Sequence, residues 1–272
     1  MTNDRMRVAA FADLHCSKAS QGIYQPLFAA AAAAADILVV CGDLTDHGLP
    51  EEAHVLIKEM AGVRIPIIAV LGNHDYHHGA QEELERIFTA AGVKVLDGDD
   101  CEVLGIGFAG VKGFAGGFGR HALEGWGEEG IKNFVYAAVE EALKLEKALA
   151  RLQTPQRIAV LHYSPILGTV EGEPPPIFPF LGSSRLEEPL NRYPVNAVLH
   201  GHSHHGSPEG RTTSGVPVYN VSLPVLCHAF PDRPPFRVIE VPKQAADGSS
   251  SVIAPGGRDQ QAPAPVPASA QQ

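Results

Sequence analysis

Five short clusters of polar residues are of types that bind metal ions and transfer protons. They are Asp13-x-His15, Gly42-Asp43-x-x-Asp46, Gly72-Asn73-His74-Asp75, the single His162, and Gly201-His202-x-His204. Imidazole suits zinc, iron, nickel and copper, whereas carboxylate and amide oxygens suit manganese and magnesium. A site that combines both kinds of donor therefore favours manganese, iron or zinc. Because residues two apart in an extended chain point to the same side, we expect each Asp-x-His or His-x-His pair to face one ion or straddle two.

Each cluster follows a run of apolar residues that predicts a buried strand. These strands are Arg7 to Ala12, Ile37 to Val40, Pro66 to Leu71, Arg157 to Leu161 and Ala197 to Leu199, with two more at Val216 to Val221 and Arg237 to Val241. Predicted helices are Pro26 to Ala35, Glu51 to Met60, Ala80 to Ala91 and Phe134 to Leu152. The alternation in the first half predicts a βαβ-type sheet. Because ligands bind at the carboxyl ends of such strands, we expect the clusters to converge there.

Three segments lack a regular pattern. The glycine-rich stretch 105–130 contains Phe114, Phe118 and Trp126, which either form a lid over the site or pack on the core. The stretch 172–182 has four prolines and is predicted to be a loop without regular structure. Residues 243–272 are poor in hydrophobic side chains and predict a disordered tail, which leaves one domain at 1–242. Arg185 and Arg192 either grip a phosphate or pair with neighbouring glutamates.

The composition limits the kinds of molecule that the protein can bind and the cellular compartment in which it is expected. The formal net charge is −10 and no cluster of lysine or arginine is visible, which disfavours a nucleic-acid polymer and leaves small phosphate esters as substrates. No apolar run is long enough for a membrane span, and the N-terminus does not resemble a signal peptide, so a cytoplasmic protein is expected. The four cysteines have no C-x-x-C spacing and predict neither a disulfide framework nor a structural zinc site.

The five clusters resemble the pattern of the calcineurin-like metallophosphoesterase family in type and order: D-x-H, G-D-x-x-D, G-N-H-D/E, a lone H and G-H-x-H. The resemblance runs from Asp13 to His204. It implies an α/β fold, a four-layer α/β/β/α sandwich of two mixed sheets flanked by helices. The implied reaction is hydrolysis of phosphate esters by a hydroxide that bridges two metal ions. Gly-Asn-His-Asp in a chain of single-domain length looks most like the bacterial cyclic-nucleotide phosphodiesterase branch.

The same resemblance implies a role for each polar residue. Two divalent ions, of manganese, iron or zinc, would be bound by Asp13, His15, Asp43 and His204 and by Asp43, Asn73, His162 and His202, with Asp43 as the bridge. His74 would contact the phosphate and protonate the leaving oxygen. Asp75 would orient the His74 imidazole and raise its basicity. Asp46 would lie outside the ligands and hydrogen-bond to a ligating histidine.

Several functions remain open at this point. A phosphodiesterase is favoured, but a phosphomonoesterase or nucleotidase of broad specificity would share the same residues. The acidic charge disfavours a nuclease that acts on DNA. A non-catalytic scaffold on the same fold is disfavoured because every ligand position and His74 are intact. The sequence indicates neither the natural substrate nor the oligomeric state.

Overall fold

The computed structural model describes residues 4–243 and contains two β-sheets flanked by helices. The strands are β1 (Arg5–Phe11), β2 (Ile37–Cys41), β3 (Ile67–Val70), β4 (Lys94–Val95), β5 (Asp99–Val103), β6 (Ile106–Gly110), β7 (Gln156–Val160), β8 (Ala197–His200), β9 (Glu209–Arg211), β10 (Pro217–Asn220) and β11 (Arg237–Pro242). The helices are α1 (Gln25–Ala34), α2 (Pro50–Met60), α3 (Gln81–Ala90), α4 (Glu129–Arg151), α5 (Phe178–Leu181), α6 (Glu187–Arg192) and α7 (Leu223–Ala229). Short 3₁₀ turns occur at His74–Tyr76, Gly119–His121, Leu167–Thr169 and Pro175–Ile177.

Both sheets are mixed, with parallel strands at their centres. The first sheet has the order β11-β1-β2-β3-β4, in which β11 is antiparallel to β1 and the other pairs are parallel. The second has the order β5-β6-β7-β8-β10-β9, in which β5 and β9 run antiparallel to their neighbours. The parallel strands therefore bring their carboxyl ends to a common edge in each sheet, where polar loops can meet.

Four layers follow from the way each buried strand divides its side chains. In β2, Ile37 and Val39 pack into the cluster between the sheets, whereas Leu38 and Val40 join the cluster that includes residues of α1, α2 and α3. Residues of α4 and α6, such as Leu149, cover the outer face of the second sheet. A strand buried on both faces reads as a continuous apolar run rather than an alternating one. The predicted α/β/β/α sandwich of two mixed sheets is confirmed.

The strands that precede the five clusters lie where the sequence predicts them, but several shorter elements were not predicted. These are β4, β5, β9, α6 and α7, and the central strand β6, whose residues are all buried, was not predicted either. The prediction that 172–182 lacks regular structure is wrong, because it contains the 3₁₀ turn Pro175–Ile177 and helix α5. Proline has no backbone N–H, and the first turn of a helix does not need one for its internal hydrogen bonds. The prolines therefore fit the starts of both the 3₁₀ turn and α5. Of the predicted disordered tail, all but Lys243 lies outside the described residues.

The segment 105–130 packs most of its aromatic residues rather than presenting them as a lid. Phe118 is 7% exposed, and the Phe114 ring lies 5.1 Å from that of Phe134, centroid to centroid. Trp126 differs, since it is 75% exposed. The packing interpretation therefore holds for the two phenylalanines.

Arg192 pairs with Glu146 of α4, and Arg185 donates to a backbone carbonyl, that of Leu123. Of the two alternatives for these arginines, charge pairing therefore holds for Arg192, but its partner is Glu146 rather than Glu187 or Glu188.

The described residues bear on two predictions, that the chain has no membrane-spanning helix and no disulfide framework. None of the helices within 4–243 combines the length and the hydrophobicity needed to cross a lipid bilayer. All four cysteines fall within this range and all are free, with Cys16 and Cys41 buried. The prediction of no disulfide framework is confirmed.

Candidate metal centre

The five polar clusters converge at the carboxyl ends of the parallel strands of both sheets. β1 leads to Asp13 and His15, β2 to Asp43, β3 to Asn73, β7 to His162 and β8 to His202 and His204. Backbone bonds continue the strand pairing into these loops, with the Asp13 N–H donating to the Gly42 carbonyl at 3.0 Å and the Gly201 N–H to the His162 carbonyl at 3.1 Å. The ladder that fixes the sheet therefore also fixes the loops.

The predicted ligands lie in two groups that Asp43 and His15 connect. In each group the potential ligand atoms lie within 4.8 Å of one another, and the groups are Asp13, His15 and His204, and Asp43, His162 and His202. A third group that is equally compact shares His15 and adds Asp46 and His74, which are not predicted ligands. His204 Nε2 is 3.1 Å from Asp13 Oδ1, and His162 Nε2 is 3.3 Å from Asp43 Oδ1. His15 Nε2 is 3.7 Å from Asp43 Oδ2 and so spans the two groups. The chain thus places two sets of nitrogen and oxygen donors side by side.

His15 supplies the clearest sign that this donor set fits a cation. Its Nε2 atom is buried and has no hydrogen-bond partner in the described residues. Burial lowers the pKa of His15, so its imidazole is neutral at physiological pH and carries a lone pair. An unsatisfied buried polar atom costs on the order of 1–3 kcal/mol. A divalent ion between His15 and Asp43 would satisfy this nitrogen and the carboxylate together.

His162 points its second nitrogen at two oxygen atoms. Its Nδ1 lies 2.9 Å from the Cys41 carbonyl, which can only accept, so Nδ1 carries a hydrogen. Its Nε2 is 2.9 Å from Asn73 Oδ1 and 3.3 Å from Asp43 Oδ1. Burial lowers the pKa of His162, but the Asp43 charge more than offsets this and raises it to about 9. Without an ion, a proton on Nε2 thus supplies the positive charge that these oxygens need.

His200 ends β8 and His202 lies in the loop that follows, and the two histidines differ in their hydrogen-bond partners. His202 Nε2 donates to the Phe180 carbonyl at 3.1 Å, which leaves the lone pair on Nδ1, and burial lowers the pKa of His202 to about 4. His200 is fully buried and both ring nitrogens are satisfied at 2.8 Å, by the Gly201 carbonyl and by Thr169 Oγ1. His202 is thus available as a ligand, whereas His200 is a structural residue.

The site loops contain an unusual density of left-handed backbone. Five non-glycine residues within 4–243 have positive φ, and four are predicted ligands: Asp13 at 62°, His15 at 46°, Asp43 at 50° and His202 at 69°. The extended conformation expected for the Asp-x-His and His-x-His pairs is therefore wrong, since Asp13, His15 and His202 all adopt left-handed backbone. Such backbone costs on the order of 1–3 kcal/mol per residue and persists where the surrounding structure demands it. Here it turns side chains of neighbouring loops toward one point.

His74 is held by Asp46 rather than by Asp75. Its Nδ1 donates to the Asp46 carbonyl at 2.7 Å, and its ring centroid lies 4.3 Å from that of His15. The fully buried Asp75 carboxylate instead accepts from the Gly72 and Thr45 N–H groups at 2.8 Å, among four donors. The predicted orientation of His74 by Asp75 is wrong, because Asp75 points inward and joins the loops after β2 and β3. Asp46 Oδ1 lies 3.7 Å from His15 Nδ1, too far for a hydrogen bond.

Three glycines of the motifs allow this close packing. A Cβ added to Gly42 would lie 2.4 Å from His162 Nδ1, one on Gly72 2.1 Å from Asp43 Oδ1, and one on Gly201 2.5 Å from Asp13 Oδ2. Sequence reasoning counted these glycines as parts of the motifs without a physical role for them. The available signal was their position in the sequence, since each directly precedes a predicted metal ligand: Asp43, Asn73 or His202.

Replacing Gly72 with alanine is expected to displace Asp43 and weaken metal binding. The new methyl group would also lie 2.3 Å from the Asp43 backbone nitrogen, so the loop must move. We expect a loss of about 1–3 kcal/mol in the free energy of unfolding, together with reduced metal content by elemental analysis. Gly62→Ala is the control, since its Cβ would meet no atom within 4 Å. Equal metal content in both variants would contradict this role of Gly72.

Glu59 anchors the loop that follows the first motif, and no sequence motif indicated it. The carboxylate is buried and accepts the N–H groups of Gly22 at 2.7 Å, Tyr24 at 2.8 Å and Gln25 at 3.1 Å. The Tyr24 hydroxyl in turn donates to the Leu14 carbonyl, between the two ligands of this motif. Glu59 therefore helps to hold Asp13 and His15 in place from the opposite side of the loop.

Replacing Glu59 with glutamine is expected to reduce stability at neutral pH by about 2 kcal/mol. Burial raises the pKa of Glu59, but the three N–H donors more than offset this and hold it below its ordinary value. The stabilisation is therefore complete above a pH of about 4.3 and is lost as the pH falls through the folded-state pKa. Urea unfolding at pH 7 and pH 3 checks this. A stability difference between wild type and Glu59→Gln that stays constant with pH would contradict it.

The chain is similar to known proteins in its sequence pattern and in its fold. The family model described as calcineurin-like phosphoesterase matches residues 6–206. A phosphopantetheinyl hydrolase from Mycobacterium tuberculosis has a similar structure, with a TM-score of 0.63 and 16% identity over 87% of this chain and 96% of that one. A Staphylococcus aureus protein described as a 5′-nucleotidase has a TM-score of 0.51 and 13% identity over 79% of this chain and 48% of that one. A search among curated proteins gives no match. The matched span contains all five clusters, and the chain belongs to the calcineurin-like phosphoesterase family.

Proposed function

We propose that this chain is a phosphodiesterase that acts on small esters with two divalent metal ions. The observation that carries the proposal is the buried, unpartnered His15 Nε2, placed 3.7 Å from Asp43 Oδ2 between two groups of donors. Residues 1–242 would form the catalytic domain, since the family match and every proposed ligand lie within it.

The proposed ligands are those that the two groups bring together, with Asn73 added through its contact with His162. One ion would be held by Asp13, His15, Asp43 and His204, and the other by Asp43, Asn73, His162 and His202. When bound, such a pair of ions lowers the pKa of a shared water toward neutrality and neutralises charge on phosphate oxygens. Two divalent ions carry four positive charges and the two aspartates remove two. The loaded site would thus stay cationic inside a chain of net charge −10 and attract phosphate.

His74 is the proposed proton donor to the leaving oxygen. Its ring forms a compact group with His15 and Asp46 beside the proposed ligands, and its backbone N–H donates to Asp43 Oδ1 at 2.9 Å. Because its Nδ1 hydrogen is committed to the Asp46 carbonyl, Nε2 is the nitrogen left to exchange a proton. Asp46, rather than Asp75, would keep the ring in this orientation.

A diester is favoured over a monoester because Gly72-Asn73-His74-Asp75, in a chain of single-domain length, resembles the pattern of the cyclic-nucleotide phosphodiesterase branch. A cyclic nucleotide remains the favoured diester. The phosphopantetheinyl hydrolase neighbour suggests a phosphopantetheinyl ester as a further substrate to test, although that likeness shows the fold alone.

Hydrolysis of bis(p-nitrophenyl) phosphate and p-nitrophenyl phosphate tests the proposal. Chelator-treated protein would be resupplied with manganese, zinc, iron or magnesium and assayed on both esters, then on a cyclic nucleotide and a phosphopantetheinyl ester. We expect metal-restored activity with faster turnover of the diester. Faster turnover of the monoester would favour a phosphomonoesterase or nucleotidase instead. No turnover of any ester by protein that holds two ions would contradict the proposal.

A further inference from the structure

A cavity of about 430 Å³ opens beside His204. The loop 204–208 forms one wall, and helix α7 forms the other through Pro224, Val225, His228 and Ala229. His204 is the proposed ligand that lines it. Binding sites for small organic molecules usually have volumes of about 300–1,000 Å³. The cavity is therefore large enough for an organic group attached to a phosphate at the metal centre.

The lining has the chemistry of a binding site for a mainly apolar group. Pro208, Pro224, Val225 and Ala229 offer carbon surface, and the exposed His228 offers a hydrogen-bonding imidazole at the rim. Ligand sites commonly combine an apolar lining with a few polar groups in this way. None of these five side chains is a proposed metal ligand or the proposed proton donor.

The loop wall is fixed before any ligand arrives. The buried carboxylate of Glu173 accepts the His205 N–H at 2.7 Å and the Ser203 hydroxyl at 3.4 Å. The Asn220 side chain donates to the Ser203 carbonyl at 2.7 Å. These bonds tie the loop to the segment 172–174 and to β10. A wall held in this way loses little conformational entropy when a ligand binds.

We propose that this cavity binds an apolar arm of the substrate alcohol, so that the enzyme prefers phosphate esters with a bulky organic group. The proposal rests on the proposed function, because it assumes that phosphate binds at the neighbouring metal centre. An ester with a methyl group would leave the cavity empty, whereas a benzyl group would bury its ring against the prolines and Ala229.

A rival surface lies beside the other histidine of the same motif. Phe180 is 58% exposed, and its carbonyl lies 3.1 Å from His202 Nε2. An exposed ring covers one face of a ligand, whereas a cavity encloses it on several sides and removes more apolar surface from water. The cavity is therefore the stronger candidate, and Phe180 serves as a comparison in the test.

Binding of two phosphonates to manganese-loaded protein tests the proposal without turnover, because their carbon–phosphorus bond is not an ester. Calorimetry would compare methylphosphonate with benzylphosphonate. Two variants fill the cavity from opposite walls, Ala229→Phe and Pro208→Trp. Cys227→Phe is the matched control, since Cys227 is exposed on the same helix and does not line the cavity. Phe180→Ala removes the rival surface.

We expect wild type to bind benzylphosphonate at least ten-fold more tightly than methylphosphonate. Both cavity-filling variants should abolish this preference while binding methylphosphonate as wild type does, and Cys227→Phe and Phe180→Ala should keep it. Equal affinity of wild type for the two compounds, or loss of the preference in Phe180→Ala alone, would overturn the proposal. No binding of methylphosphonate would instead show that the proposed phosphate site itself is wrong.

Discussion

Replacing Asp43 with alanine is expected to reduce bound metal to less than one ion per chain and to lower phosphoesterase activity by at least about 10³-fold. This exceeds the 10- to 100-fold loss typical of changes outside the ligands. The Asp43 carboxylate reaches a side chain of each group of donors, at 3.3 Å from His162 Nε2 and 3.7 Å from His15 Nε2. Elemental analysis and assay of the purified variant measure both effects.

Two further variants make this test specific. Asp43→Asn keeps the shape of the side chain and its ability to accept the His74 N–H, so it separates loss of charge from loss of packing. Asp97→Ala removes a surface carboxylate that pairs with Lys144 at 3.1 Å, and it should leave metal content and activity unchanged. Two ions retained in Asp43→Ala would contradict the assignment of Asp43 as a shared ligand.

Replacing His74 with alanine is expected to leave both ions bound and to lower kcat by about 10²–10⁴-fold. The effect should fall on kcat because His74 contacts Asp43 through its backbone N–H, which alanine keeps, while its Nδ1 is bonded to the Asp46 carbonyl and not to a proposed ligand. An ester with a good leaving group, such as p-nitrophenolate, should lose less than an alkyl ester, because it needs less protonation.

The control for His74 lies four residues further along the chain. His78 is exposed, and His78→Ala should match wild type in metal content and kcat. Loss of metal in His74→Ala together with retention in Asp43→Ala would reverse the two roles and contradict the account.

The sequence predicts the strands that carry the site because they are short apolar runs that end in polar motifs. The central strand β6, which contains Gly107 and is followed by no such motif, was not predicted. Ile37 to Cys41 shows the principle, since a strand buried on both faces needs apolar residues at every position. Edge strands lack this requirement. Strand β5 contains Asp99, Asp100 and Glu102, and with one face toward solvent it has no apolar run to reveal it.

The convergence of the site is also predictable, but its local geometry is not. Strand ends on one sheet edge bring Asp13 and Asp43 together whatever the loops do. The left-handed backbone of both residues depends on pairing between loops from different parts of the chain, which sequence spacing does not contain. The role of Asp75 shows the same limit. Its nearness to His74 in sequence suggested a contact, but the 3₁₀ turn at His74–Tyr76 directs the two side chains to different partners.

Titration of metal ions into chelator-treated protein, with activity measured at each step, tests the central claim most directly. The account predicts that hydrolysis of the diester is absent without metal, rises with added manganese or zinc, and reaches its plateau at two ions per chain by elemental analysis. Activity that survives complete removal of metal, or a plateau at one bound ion, would contradict the proposed two-ion centre.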